Sequence, residues 1–295
     1  MSKEPSRRPL LVYIQGTLPS LNPTERLIAS YVLDDPERVL SSSIAEMRDG
    51  SGASVGSIVG FCRNLGLRGF ADFKIALARE LAQSGFSGFA PAADGSPSQN
   101  GTVFEKVFQF HVQSLVDTLR INSQETMRQS AKMLERAHRI ELFAIGISYP
   151  IAYLASCKLR LIGLPASTQF DSHMQLVAAT QLRRGDVAFA ISCSGATSET
   201  VRCLEVARSR GARTICLTNS VRSPITHAAD LALFATPSEI KYFQAPLASR
   251  ITQLAIVDAL FVSLAQRNKD RTAVQLRNAG EELLKQRLSY NSTSS

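Results

Sequence analysis

The sequence predicts a two-part chain. A small all-helical N-terminal unit carrying a helix-turn-helix precedes an α/β part, a three-layer α/β/α domain on a mostly parallel five-stranded sheet. Three observations lead there. Up to residue 82, apolar residues recur at helical spacing between capping signals. Residues 83–101, QSGFSGFAPAADGSPSQNG, are crowded with Gly, Ser, Pro and Ala, the composition of a linker. Beyond them short apolar runs alternate with helical segments, the pattern of a parallel sheet covered on both faces. The domains expected are therefore 1–82, a linker at 83–101, and 102–290.

The 295 residues agree with about two domains of roughly 150 residues each. A hydrophobic content of 44% against 20% charged residues supplies real cores and excludes a wholly disordered chain. No apolar stretch approaches the roughly 20 residues of a membrane span. The start, MSKEPSRRP, leads into no apolar signal core, so a cytoplasmic protein with no membrane partner is expected. Cys62, Cys157, Cys193, Cys203 and Cys216 form no CxxC, and the four histidines no HExxH. Buried free thiols are expected rather than a disulfide scaffold or a zinc cluster, and no cofactor.

Residues 1–20 read as irregular. Asn22 then offers a cap, Pro23 a first helical position and Glu25 the third residue of a capping box. Leu27, Ile28, Tyr31 and Val32 continue that helix until Asp34-Asp35-Pro36 ends it. A short second helix spans 43–49 and stops near Gly50. Ser54 caps a third, running to Leu65, and Phe70–Leu81 is the fourth. The segments 43–49 and 54–65, joined by DGSGA, have helix-turn-helix spacing. The second helix would meet base edges through Ser51, Ser54, Ser57 and Arg63, with Arg68 and Lys74 on phosphates. A helical packing or dimerisation unit would show the same spacing. The net charge of +8 permits a nucleic-acid partner, yet residues 1–100 carry 10 basic and 10 acidic residues. The excess lies further on, 17 against 12 over 101–266 and 6 against 3 over 267–295.

In the second part, helices are expected at 102–121 and 123–137, then strands at 140–145, 165–168, 187–191, 213–217 and 230–234. Helices between them fall at 150–162, 172–180, 197–210 and 223–227, and two more follow at 245–266 and 270–287. Gly146-Ile147-Ser148 is a glycine turn from strand to helix, a plain connection or an anion cradle. In Ser192-Cys193-Ser194-Gly195-Ala196-Thr197-Ser198-Glu199-Thr200, hydroxyls cluster round one glycine turn at a helix start. Hydroxyls and amides can hold a phosphate without a cation; ordinary capping by Ser194 or Thr197 is the alternative. The loop lacks the GxxxxGK[ST] pattern of nucleotide triphosphatases.

The stretches LNPTERLIASYVLDDPERVLSSSIAEM and SVGSIVGFCRNLGLRGFADFKIALAREL closely resemble the N-terminal domain of the RpiR family of bacterial transcriptional regulators. FCRNLGLRGFADFK (Phe61–Lys74) is the signature portion. From Ile140 to Gln266 the chain resembles a SIS domain, the sugar-isomerase fold that binds phosphosugars. That likeness rests on Gly146 and Ser148, Phe170-Asp171-Ser172-His173, Gly185-Asp186, SCSGATSET, Leu217-Thr218-Asn219 and Ala248-Ser249-Arg250. Val55, Gly60 and Ala196 depart from the family's usual acidic residue, arginine and charged residue.

The resemblance implies a recognition helix at Ser54–Leu65, with Arg63, Arg68 and Lys74 near a double-stranded DNA operator. It implies that Ser192, Ser194 and Thr197 hold a phosphate, with backbone help from Gly195 and with Ser148 at the mouth. Asp171, His173 and Glu239 would meet the sugar. The expected protein is a homodimeric or homotetrameric repressor of carbohydrate genes, controlled by a phosphorylated sugar or polyol-derived effector. A phosphosugar isomerase or lyase is the alternative, since Glu199, Glu239, His173 and His227 are suitable acid–base types. A stand-alone enzyme has no use for a helix-turn-helix and linker.

Overall fold

The structure, a computed structural model, describes residues 9–83, 102–236 and 250–285. The linker expected at 83–101 lies outside them beyond Gln83, as does the start of the helix expected from 245. The described residues fall into two compact units. The first takes those within 1–123, 218–223 and 234–252, and the second those within 124–217, 224–233 and 253–295.

The first unit is helical. Its elements are α1 (Leu10–Thr17), α2 (Pro23–Asp34), α3 (Pro36–Ser41), α4 (Ile44–Ser51), α5 (Val55–Asn64), α6 (Phe70–Gln83) and α7 (Val103–Ile121), with a short 3-10 turn at Leu18–Ser20. The expected capping box of Asn22 with Glu25 forms, and Ser43 with Glu46 and Thr102 with Glu105 add two more. Ile28, Val32, Met47, Ile58, Phe61, Phe73 and Leu77 are fully buried in one core, with the Phe61 and Phe73 rings tilted at 6.5 Å.

Three expectations change here. Residues 10–17 are helical rather than irregular. The run LLVYIQGT lacks a polar face and a cap of its own, so periodicity missed it. Its first amides, on Leu10 and Leu11, donate instead to the Glu80 carboxylate on α6. Pro36 does not merely end α2; it opens α3, capped by Asp35. Gly50 does not stop the second helix. The Tyr31 ring lies against it where a Cβ would be, and the stop is Gly52 at φ 70°.

The second unit is built on a sheet. Its strands are β1 (Ile140–Phe143), β2 (Ala166–Thr168), β3 (Val187–Ile191), β4 (Arg213–Thr218) and β5 (Leu231–Phe234). Their order is β2-β1-β3-β4-β5, with β1–β2, β1–β3 and β3–β4 parallel. The remaining helices are α8 (Gln124–Glu135), α9 (Tyr149–Leu161), α10 (Ser172–Gln181), α11 (Ser198–Ser209), α12 (Pro224–Ala228), α13 (Arg250–Arg267) and α14 (Lys269–Lys285).

One face of the sheet packs Phe143, Ala188, Ala190 and Cys216 against Ala178, Ala179, Cys203, Leu204 and Ala207 of α10 and α11. The alanines on both sides let those helices lie close to the strands. On the other face Phe189 lines one small cavity with Leu134, Ala155, Leu159, Val257 and Leu260 of α8, α9 and α13. Burial pushes the thiols of Cys62 and Cys216 up to about 12 and that of Cys203 up to about 11, as expected of thiols that pack rather than react.

Two glycines of the helical unit should respond in opposite directions. Gly52→Ala forces a side chain into the left-handed region and should cost about 1–2 kcal/mol. Gly60 lies inside α5 with nothing within 4 Å of an added Cβ. Gly60→Ala should therefore stabilise by up to about 1 kcal/mol. Urea unfolding of the two variants checks both signs.

Candidate functional site

The chain crosses from β1 through α9 to the edge strand β2, then returns past β1 through α10 to β3. Adjacent strands β1 and β3 therefore send their following loops in opposite directions, which leaves a crevice at their carboxyl ends. Both glycine turns singled out in the sequence lie there. After β1 comes a 3-10 turn, Gly146–Ser148, that leads directly into α9, with Ser148 buried at its end. After β3 comes 192–197, leading into α11.

Within that second loop Ser192 is buried, and its Oγ lies 3.1 Å from the Thr197 Oγ1. The Gly195 amide donates to the Ser192 Oγ at 3.1 Å and to its carbonyl at 3.2 Å. The Ser194 hydroxyl accepts from the Ala196 amide and otherwise faces solvent. Thr197 is the N-cap residue of α11 but makes no side-chain capping bond. An uncapped first helical turn presents amides and the positive end of the helix dipole to the crevice. Glu199 competes for that charge. Its own amide and the Ser198 hydroxyl hold its carboxylate below the usual range.

The Gly195 amide, expected to help hold a phosphate, donates to Ser192 in this structure, and its φ of 65° makes the turn. Asp171 follows β2 on the same end of the sheet, where it caps α10 by accepting from the Met174 amide at 2.9 Å. His173 is exposed in the first turn of α10. Glu239 lies outside the described residues. Sequence reasoning missed Gln175. This buried side chain accepts from the Ala144 amide at 3.1 Å and donates to the carbonyls of Ala144 and Gln169. It ties the exit of β1 to the segment after β2, and so fixes where the Gly146 turn begins. A glutamine on the core side of an otherwise apolar helix was the available signal.

In the helical unit, α4 and α5 are joined by Gly52-Ala53-Ser54. Ser54 caps α5, accepting from the Ser57 amide, and the two hydroxyls meet at 2.9 Å on the exposed start of the helix. Arg63 is exposed and makes no ion pair among the described residues. Arg68 is 91% exposed and forks onto Asp72 at 2.6 and 3.0 Å, a surface pair weak enough to exchange for a phosphate.

Two members of the DNA-facing set hold backbone in this structure. Ser51 is buried at the end of α4 and accepts from the Ala53 amide, so it shapes the turn instead of facing outward. Lys74 donates to the carbonyls of Leu40 and Ser42 at 3.0 Å each, closing the carboxyl end of α3. Among the described residues no group of three or more His, Cys, Asp or Glu could hold a metal, and no helix is long and apolar enough to cross a membrane.

Comparison with known proteins finds two family models in the chain. The model of the helix-turn-helix domain of the rpiR family matches residues 9–84, and that of the SIS domain matches 133–263. An uncharacterized HTH-type transcriptional regulator of Caldanaerobacter subterraneus subsp. tengcongensis is 35% identical over 277 residues, 93% of this chain and 96% of that protein. The HTH-type transcriptional regulator HexR of Pseudomonas aeruginosa is 31% identical over 276 residues, 93% and 95% of the two chains. The Vibrio vulnificus NanR protein, solved in complex with ManNAc-6P, shares the fold with a TM-score of 0.61 at 24% identity. That match covers 95% of this chain and 100% of that one.

The two carbonyls held by Lys74 have a measurable consequence. Lys74→Met strips a charged donor from two carbonyls, and should lower unfolding stability by about 1.5–3 kcal/mol. DNA affinity of the folded protein should stay within about two-fold. An unchanged unfolding midpoint with a large loss of DNA affinity would restore the phosphate role.

Proposed function

The chain belongs to the RpiR family of transcriptional regulators, and from that premise we propose a sugar-controlled repressor of carbohydrate genes. A phosphorylated sugar, or a phosphate derived from a polyol, seats its phosphate in the 192–197 loop, and DNA is released. The observation that carries this reading is the crevice between β1 and β3, where the uncapped start of α11 and the Ser192–Thr197 hydroxyl pair share the carboxyl end of the sheet. Ser194 and Thr197 bind the phosphate oxygens, and Ser192 holds the loop around them. Ser148 stands at the mouth. His173, the second oxygen of Asp171, and Glu239 meet the sugar hydroxyls. The ManNAc-6P bound by the Vibrio protein is a ligand of this chemical class. The full-length relatives are regulators, which sets the isomerase and lyase readings aside.

In the helical unit, α5 enters the major groove with Ser54 and Ser57 at its leading end and Arg63 beyond them. Arg68 turns from Asp72 to a phosphate. A homodimer or homotetramer presents paired helices to half-sites about 34–36 Å apart. The effector acts by binding the DNA-released arrangement more tightly than the DNA-bound one, since equal affinity would shift nothing.

Fluorescence anisotropy on duplexes from the protein's own promoter region, with a scrambled duplex and a panel of sugar phosphates, tests the reading. One sugar phosphate should lower affinity for the promoter duplex. Ser194→Ala should weaken that effector about ten-fold or more, the size of a lost hydrogen bond to a charged group, while DNA affinity without effector is retained. Arg63→Ala should cost more than about 0.5 kcal/mol of promoter binding. A Ser194→Ala protein with an unaltered effector response would remove the phosphate from this loop.

A further inference from the structure

The carboxyl end of the sheet holds the crevice; the opposite end carries a row of arginines. Strand register sets Ile140, Ala166, Val187 and Arg213 level at that end. The segments entering four adjacent strands each bring arginine: Arg160 before β2, Arg136 before β1, Arg183 and Arg184 before β3, and Arg210 before β4. All five are exposed, and among the described residues none makes an ion pair. Neighbouring cations are already neutralised, Arg139 by Glu141 and Arg213 by Asp230. Of the other carboxylates there, Glu135 pairs with Arg267, and Asp186 is buried and caps the turn at the Arg183 amide.

Part of the cause is local. Parallel crossovers bring the carboxyl ends of α8, α9, α10 and α11 to this edge, and cations are favoured there by the helix dipole. The result is nonetheless unpaired charge gathered at one end of the sheet, on the helix ends of both faces. Four strands about 4.8 Å apart span about 14 Å. Over that length each strand of a DNA duplex carries about four phosphates. A compact small anion would engage only a fraction of such a row.

The charge balance agrees. Residues 1–100 are neutral overall, with Arg68 paired and Lys74 committed to α3, whereas residues 101–266 carry the excess of 17 basic over 12 acidic residues. We propose that this arginine row is a second DNA-binding surface, one that grips the phosphate backbone and reads no bases. The proposal rests on the reading of the chain as a DNA-binding regulator. It adds that much of the electrostatic affinity comes from the sheet domain.

The test uses the full chain on promoter and scrambled duplexes between 50 and 200 mM salt. The triple variant Arg183→Gln, Arg184→Gln, Arg210→Gln should bind both duplexes at least about ten-fold more weakly at low salt. Its log–log salt slope should be shallower by about 3, one for each phosphate that is no longer neutralised. The corresponding triple lysine variant should keep wild-type affinity and slope, and an unchanged effector response in both variants reports an intact fold. Wild-type affinity and slope retained by the glutamine variant would overturn the proposal. A wild-type protein that binds both duplexes equally would sink the operator reading alone, because the scrambled duplex still reports on the row. A wild-type protein that binds neither duplex would overturn both.

Discussion

The return of the chain past β1 on its way from β2 to β3 is the constraint on which the sheet domain's chemistry depends. Parallel strands must be joined by crossovers, and crossovers on opposite faces leave adjacent loops diverging at one point only. Here that point lies between β1 and β3, and both sequence segments with a glycine turn followed by a helix fall on it. Among the described residues the loop at that point offers hydroxyls, so an anion there is held by directed hydrogen bonds and the dipole of α11. Glu199 moderates that field. Its ionised carboxylate sits on the same helix start, so a ligand must offer more than bare charge to displace its influence.

The same parallel topology gives the opposite end of the sheet a different character. Helix ends with partial negative charge gather there, and arginines collect on them. A domain of this kind is polarised by its construction, with helix starts at one end for small anions and cations at the other. The helical unit divides its labour similarly. Ser51 and Lys74 have the residue types of DNA-binding positions, yet both hold backbone in place. Ser54, Ser57 and Arg63 remain on the outer side of α5.

Much of the fold was legible because it is written in local chemistry. Asn22 and Ser54 are caps by residue type and position, and each caps the helix expected of it. The fully buried strand β3 was readable to the residue as VAFAI between polar flanks. What escaped depends on partners distant in sequence. Helix α1 is completed by Glu80 some seventy residues away. Gly50 answers to Tyr31, and Gln175 to the exit of β1. The Lys74 contacts escaped for the same reason, since a basic residue in a signature motif does not announce that two carbonyls from another helix face it. The site was legible as a loop, SCSGATSET, but not as a crevice. Its position follows from strand order, which no single segment encodes.

The most direct test of the phosphate site is diffraction from crystals of the full chain grown with the sugar phosphate that releases DNA. Phosphate density should appear within hydrogen-bonding distance of the Ser194 and Thr197 hydroxyls and the first-turn amides of α11, between the ends of β1 and β3. A phosphate bound at the arginine edge, or anywhere that leaves the 192–197 loop untouched, would contradict it.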